Sequence, residues 1–419
     1  MRKLSLLITT VFLTSMAWAQ LDEVKRITQD LCKPEFHGRG YVNQGDVKAA
    51  HYIANEFEKI GLTPLDTSFL QAFQFQVNSF PASMEVAYGS KTLTPGKHFV
   101  VDANSPSFDG QLVPAIIDTN ILKSEIQLQD VFEQVQSEQK NAFLIDTRGL
   151  SARRENEIRA NLTGLSAYAP VVILTHQKFM WSVGRKQYNN IVITLQDSVY
   201  QEGQTLRVNV DAKLIEKYTA YNVIGEVKAK KKTKKTVVFT AHYDHLGRMG
   251  AETYFPGAND NASGTAMVIA MAKYFKENPV DYNVVFIAFG GEEAGLVGSK
   301  YFVEHPLLKL KKIKFLLNLD IMGSGEEGIT VVNGTEHTKA FESLEAINAE
   351  HGYLTRIKKR GPTQNSDHYY FSLEGVPSFF IYTMGPNKHY HDIFDTYEEL
   401  SFKECEDITK LLIRFVELL

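Results

Sequence analysis

The chain carries two cysteines in 419 residues, Cys32 and Cys405. Two are too few for a cysteine-rich metal site. Their pairing stays open, since an exported protein could form the disulfide and two separate buried thiols fit equally well. Positive charge is not in excess either. Lysine plus arginine number 45 against 49 aspartate plus glutamate, a net charge of −4. Nothing in that balance would hold a polyanion, so nucleic acid is not an expected partner. No apolar run reaches the roughly 20 residues that cross a bilayer. With 44% hydrophobic residues, 22% charged residues, 28 Gly and 13 Pro, collagen-like, low-complexity and disordered classes are excluded as well. Single cores stop growing at roughly 250 to 300 residues, which predicts two units or one domain with a sizeable insertion.

At the N-terminus Arg2 and Lys3 precede an apolar run, Leu4 to Leu13, and the small-x-small site Ala17-Trp18-Ala19. This is the pattern of an export signal over residues 1–19, with a mature chain from Gln20. The expectation is a secreted or periplasmic protein with no stable membrane insertion after signal cleavage. An N-terminal membrane anchor is the alternative. No cysteine follows the small residues, so a lipid anchor is not indicated.

Between Val47 and Gly61, Ala50, Ile53, Phe57 and Ile60 recur at helical steps and Gly61 supplies a stop. From about Phe80 to Tyr218 the texture changes to short β-branched runs, 111–117, 142–145, 170–174 and 190–194, which read as strands separated by turns and one or two helices. This stretch shows no cluster of metal-ligand or nucleophile type and reads as an inserted accessory domain, residues 80–215. The lysine-rich segment Lys228 to Lys235 reads as a solvated hairpin tip between two strands. Thereafter the pattern predicts a strand at 237–240, a helix from Ser263 to Asn278, a strand from Val284 to Phe289, a helix after Gly295, a strand from Phe315 to Leu319 and a closing helix. Ser401 and Glu404 stand at capping-box spacing before that last helix. Continuous apolar strands between helices imply an α/β fold, a sheet covered by helices on both faces.

Chemistry gathers where these strands end, the place open α/β sheets build their sites. One strand runs into His242-Tyr243-Asp244-His245, and Gly257 to Gly264 forms a turn that opens a helix and contains Asp260. The next strand runs into Gly290-Gly291-Glu292-Glu293, and another ends in Asp320. His391 follows in Tyr390-His391-Asp392-Ile393-Phe394-Asp395-Thr396. Imidazoles and carboxylates in this number suit one or two zinc ions. A catalytic zinc wants about three protein ligands and an open position, and a carboxylate shared by two ions would let five residues fill both. Each element alone is weak, since Asp260 could be a helix cap and a Glu pair at a helix start could complement the dipole.

Taken together, Ala241-His242-Tyr243-Asp244-His245, Gly257 to Gly264, Gly291 to Ser299, Asn318-Leu319-Asp320-Ile321-Met322-Gly323, Ser366-Asp367-His368 and Tyr390-His391 resemble the family of two-zinc exopeptidases that includes secreted bacterial aminopeptidases, glutamate carboxypeptidase and the glutaminyl cyclases. The resemblance covers residues 216–419 and, through Phe36-His37-Gly38-Arg39, the N-terminal lead-in. It implies a zinc-peptidase domain of residues 20–79 plus 216–419, with a mixed twisted sheet of phosphorylase/hydrolase-like type. The insert stands where some members carry a protease-associated domain. By the same resemblance two zinc ions per chain are held by His242 and Asp320 on one side and Glu293 and His391 on the other, bridged by Asp260. Glu292 becomes the general base, Asp244 the carboxylate that fixes the tautomer of His242, and Tyr390 a helper to the oxyanion. The Asp260–Asn261 peptide is expected to be cis. His245 becomes a neighbour without a metal bond, His368 a structural or substrate-facing residue, and Asp395 local turn or cap chemistry.

The function implied is a zinc aminopeptidase that hydrolyses N-terminal residues from peptide substrates through a water activated between two metals. Its alternatives are a dipeptidase or carboxypeptidase on the same site and a glutaminyl cyclase-like acyl transferase, which needs one zinc. A catalytically silent binding protein would be expected to have lost a ligand or the base, and none is lost. Sequence gives no signal for the preferred N-terminal residue or the oligomeric state.

Overall fold

The structure is a computed structural model that describes residues 20–118, 125–137, 139–160 and 162–419. The expected export signal, residues 1–19, lies outside these. No helix among the described residues is long and apolar enough to cross a membrane.

The largest sheet has eight strands. In chain order they are β1 (Leu70–Ser79), β2 (Lys213–Val227), β3 (Thr236–His242), β4 (Asn283–Phe289), β5 (Ile313–Leu319), β6 (Gly328–Val332), β7 (Ile357–Lys359) and β8 (Ser378–Met384). They lie side by side as β1-β2-β4-β3-β5-β8-β6-β7. The centre, β4-β3-β5-β8, is parallel. The pairs β1-β2, β2-β4 and β6-β8 are antiparallel, so the sheet is mixed.

Strand alternation explains why both faces are covered. Val237, Phe239, Ala241, Val284, Phe286, Phe315 and Leu317 pack against helices Gly45–Ile60, Gly264–Glu277 and Cys405–Leu418 in one cluster. Their neighbours Val238, Val285, Ile287 and Leu316 point the other way, onto Phe302 and Phe371 of helices Val297–Glu304 and His368–Leu373. Successive side chains of a strand face opposite sides, so near-continuous apolar runs are what a doubly covered sheet requires.

Strands Met84–Tyr88, Lys91–Thr92, Phe108–Leu112 and Leu206–Val210 form a four-stranded sheet. A five-stranded sheet joins Phe99–Val101, Val192–Gln196, Val171–Thr175, Ala142–Asp146 and Pro114–Ile117, accompanied by helices Glu125–Gln136, Ala152–Ala160 and Leu162–Ser166. The run 111–117 is therefore two strands in different sheets. An apolar cluster of this region includes Leu246, Met249 and Phe255, contributed by the loop that follows β3.

Two expectations are corrected. Lys228–Lys235 is not a hairpin tip, because β2 and β3 are not neighbours: β4 lies between them, and the segment is a crossover loop. Helix Cys405–Leu418 has no capping box. Ser401 lies outside it and accepts from Lys403 N at 3.2 Å, while Glu404 at the N-cap has φ +64 and no side-chain cap. The buried Phe402 anchors the chain there instead. Cys32 and Cys405 are both free thiols.

Candidate metal centre

Parallel strands end at the same edge of a sheet, which brings the chemistry-bearing residues together. His242 is the last residue of β3, Glu292 and Glu293 follow β4, Asp320 follows β5, and the loop after β8 leads to His391. Asp260 sits in the turn Ala258–Ser263 that opens helix Gly264–Glu277. The Asp260–Asn261 peptide is cis, as the resemblance implied. Asn261 fixes the turn by donating to Leu319 O at 3.0 Å and accepting from Gly264 N at 2.9 Å. A side chain at Gly298 would collide with the carbonyl of Gly290, so glycine there lets helix Val297–Glu304 close onto the strand end that carries the Glu pair.

His242 Nε2 lies 3.3 Å from Asp260 Oδ1 and 3.4 Å from Asp320 Oδ1. His391 Nε2 lies 3.2 Å from Asp260 Oδ2 and 3.2 Å from Glu293 Oε2. Both oxygens of one carboxylate thus face an imidazole. Potential ligand atoms of His242, Asp260 and Asp320 lie within 4.8 Å of one another, as do those of His242, Glu292 and Glu293 and those of His245, Asp260 and Glu293. All eight residues that the sequence nominated are here, with Tyr390 stacked on the His391 ring at 3.9 Å. A cleft of ≈ 290 Å³ opens over six of them, all but Asp244 and Glu293, and is lined further by Ile321, Arg360, Phe380 and Tyr382.

The donor set fits zinc. Asp244, Asp260, Asp320, Asp367 and Asp395 are buried, and Glu293 is nearly so. Buried carboxylates in this number are costly unless a cation or protons offset them. Electrostatics carry the same imprint. Burial raises the Glu292 carboxyl well above its usual range, with Glu293, Asp367 and Asp320 adding to the effect against His242. Burial likewise raises Asp320. Asp260 goes the other way: despite burial, His242 and His391 hold it well below the carboxylate range. Glu293 is lowered to about 2 against its burial, chiefly by His391. Burial would lower His391, but Glu293 and Asp260 raise it to about 11.

The surroundings modify two expectations. His242 Nδ1 faces the backbone oxygen of Asp244 at 3.2 Å, whereas the Asp244 carboxylate is 3.9 Å away. That carboxylate accepts instead from Glu292 N at 3.2 Å, Glu293 N at 3.1 Å and the hydroxyl of Tyr41. Asp395 is not local turn chemistry: it accepts from Asn259 N at 2.9 Å and Asp260 N at 3.0 Å, across 135 residues of chain. His245, expected as a neighbour of the site, has Nδ1 2.8 Å from Glu293 Oε1.

Arg39, Tyr41 and Trp181 were not found by sequence reasoning as residues around the centre. Arg39 is fully buried and donates to the carbonyls of Tyr243 (2.7 Å), Leu31 (3.1 Å), Pro256 (2.6 Å) and Gly257 (2.6 Å). The lead-in motif was the only trace of it. Tyr41 and Trp181 act across about 200 and 210 residues of chain, and no spacing rule reports such contacts.

Residues 222–416 match the family model described as Peptidase family M28. Aminopeptidase YwaD of Bacillus subtilis (strain 168) is 31% identical over 240 residues, 54% of this chain and 51% of that protein. A probable leucine aminopeptidase of Trichophyton verrucosum (strain HKI 0517) is 28% identical over 218 residues, 49% of this chain and 57% of the other. The chain spans about half the length of these curated relatives. Among solved structures, the zinc aminopeptidase BSAP from Bacillus subtilis shares the fold with a TM-score of 0.70 at 20% identity, covering 94% of each chain. Residues 222–416, a little under half of the chain, are thus similar to peptidase family M28.

Proposed function

We propose that the protein is a zinc aminopeptidase that removes N-terminal residues from peptides, with two metal positions. The observation that carries this reading is Asp260, whose two oxygens face His242 and His391 at 3.3 and 3.2 Å. On this reading Asp260 is shared, His242 and Asp320 complete one position, and Glu293 and His391 complete the other. His245, beside Glu293, orients that carboxylate.

Bound zinc supplies Lewis-acid polarisation of the scissile carbonyl and lowers the pKa of water toward about 7. The chain's own groups do the rest. Glu292, in the cleft beside His242, takes the proton of the attacking water on its carboxylate and returns it to the leaving amine. Asp244 holds the backbone of both glutamates, which fixes where the base stands relative to its neighbour. Tyr390, at the cleft edge, offers a hydroxyl toward the developing oxyanion. Residues 80–215 form an accessory unit beside the cleft, and the N-terminal segment supports export to the periplasm or outside the cell.

Metal analysis of the purified protein, run alongside aminoacyl anilides, N-blocked peptides and N-terminal Gln peptides, tests the proposal. Cleavage of free-amine substrates by a zinc-loaded protein is the expected outcome. Activity on blocked peptides alone would overturn it, and cyclisation of N-terminal Gln without cleavage would move the protein to the acyl-transfer reading.

A further inference from the structure

The loop that carries His391 is gripped from a segment distant in sequence. Residues 178–181 lie between strands Val171–Thr175 and Val192–Gln196 of the five-stranded sheet. The Trp181 backbone makes two bonds to one residue: its N–H donates to His391 O at 2.9 Å, and its carbonyl accepts from His391 Nδ1 at 3.0 Å. A carbonyl can only accept, so Nδ1 keeps a proton and Nε2, which faces Asp260 and Glu293 at 3.2 Å, is the nitrogen left to a metal. His391 has φ +53, a left-handed conformation that a residue with a Cβ adopts at a cost. The exchange with Trp181 holds it there.

Two further contacts fix the grip. Lys178 Nζ pairs with Asp392 at 2.6 Å and donates to the carbonyl of Lys388 at 2.7 Å. Trp181 is itself anchored, its indole N–H donating to Val101 O at 2.7 Å and its ring stacked on Phe255 at 4.8 Å. The geometry points to Lys178–Trp181 as a clamp that sets the tautomer and orientation of His391, and so the metal affinity of the Glu293–His391 position. Outer partners of a metal-binding imidazole typically change affinity by roughly 10- to 100-fold. A segment of the region read from the sequence as an accessory domain thereby positions a ligand. This inference rests on the metal-centre reading above.

The test uses the full chain and the variants Lys178→Met, Trp181→Phe and Lys178→Arg. Zinc per chain is measured by mass spectrometry across graded chelator, together with the melting temperature of chelator-stripped protein. Lys178→Met and Trp181→Phe should release one ion at about 10-fold lower chelator than the parent while keeping the other, and Lys178→Arg should recover part of the loss. Release of both ions at the parent's chelator concentrations overturns the clamp and leaves the metal centre standing. Parallel loss of both ions with a lowered melting temperature of stripped protein also overturns it, assigning the segment a merely structural role. A parent that binds no zinc removes the metal-centre reading itself, and the clamp with it.

Discussion

Glu292 and Glu293 are adjacent and chemically identical, yet their surroundings separate them. Glu293 touches both His245 and His391 and is held low, to about 2, whereas Glu292 is driven up by burial and by its acidic neighbours. A residue held as an anion between imidazoles is suited to a cation, and one with high proton affinity is suited to carrying a proton. Glu292→Gln keeps the shape and removes the proton acceptor. It should retain parental zinc while kcat falls by roughly 100-fold or more. Glu293→Gln should lose one ion, and added zinc should recover part of its rate. Rescue of the Glu292 variant and not of the Glu293 variant by excess zinc would exchange the two roles.

At the scale of elements, Arg39 ties the start of the chain to the site. Its guanidinium bonds four carbonyls from residue 31, the end of β3 and the loop before Asp260, with Asp395, Asp260 and Asp244 close enough to offset its charge. Arg39→Met leaves those carbonyls unpaired in a buried place and should cost about 3–5 kcal/mol, read as a lower midpoint in denaturant unfolding. A change under about 1 kcal/mol would show that the loops hold themselves. The same residues mark how far sequence carries. Strands β3, β4 and β5 were legible because both faces are buried and their apolar runs are unbroken, and the candidate ligands follow because such strands end at one edge. Strand order was not legible, so Lys228–Lys235 passed for a hairpin tip although β4 intervenes. Strands β6, β7 and β8 and helix Thr338–His351 had no counterpart among the elements expected from the sequence. Asp395 and Trp181 escaped because their partners lie far along the chain, and only folding brings them within hydrogen-bond reach.

For the whole molecule, the acids gathered at the sheet edge make stability depend on what neutralises them. In protein stripped by chelator, that task falls to protons. Burial raises Asp367 and Asp395 to about 7, while Glu293 and Asp260 outweigh burial to raise His391 to about 11. Each of these folded values lies above the unfolded one, so the folded state binds more protons than the unfolded state from about pH 4 for the two aspartates and from about pH 6.5 for His391. Stability of stripped protein should therefore fall as pH rises through this span. Asp260 and Glu293, held low, are ionised in both states above pH 5 and add no slope there. Zinc takes over from the protons, and its ligands must shed them to bind. At about 100 times its dissociation constant a ligand adds about 2.7 kcal/mol to stability. The increment from zinc should accordingly be larger at pH 8 than at pH 5.5. Differential scanning fluorimetry of stripped protein with and without added zinc at the two pH values measures it, with magnesium as the control ion. An increment equal at both pH values, or matched by magnesium, would mean that the carboxylate cluster is not what the zinc neutralises.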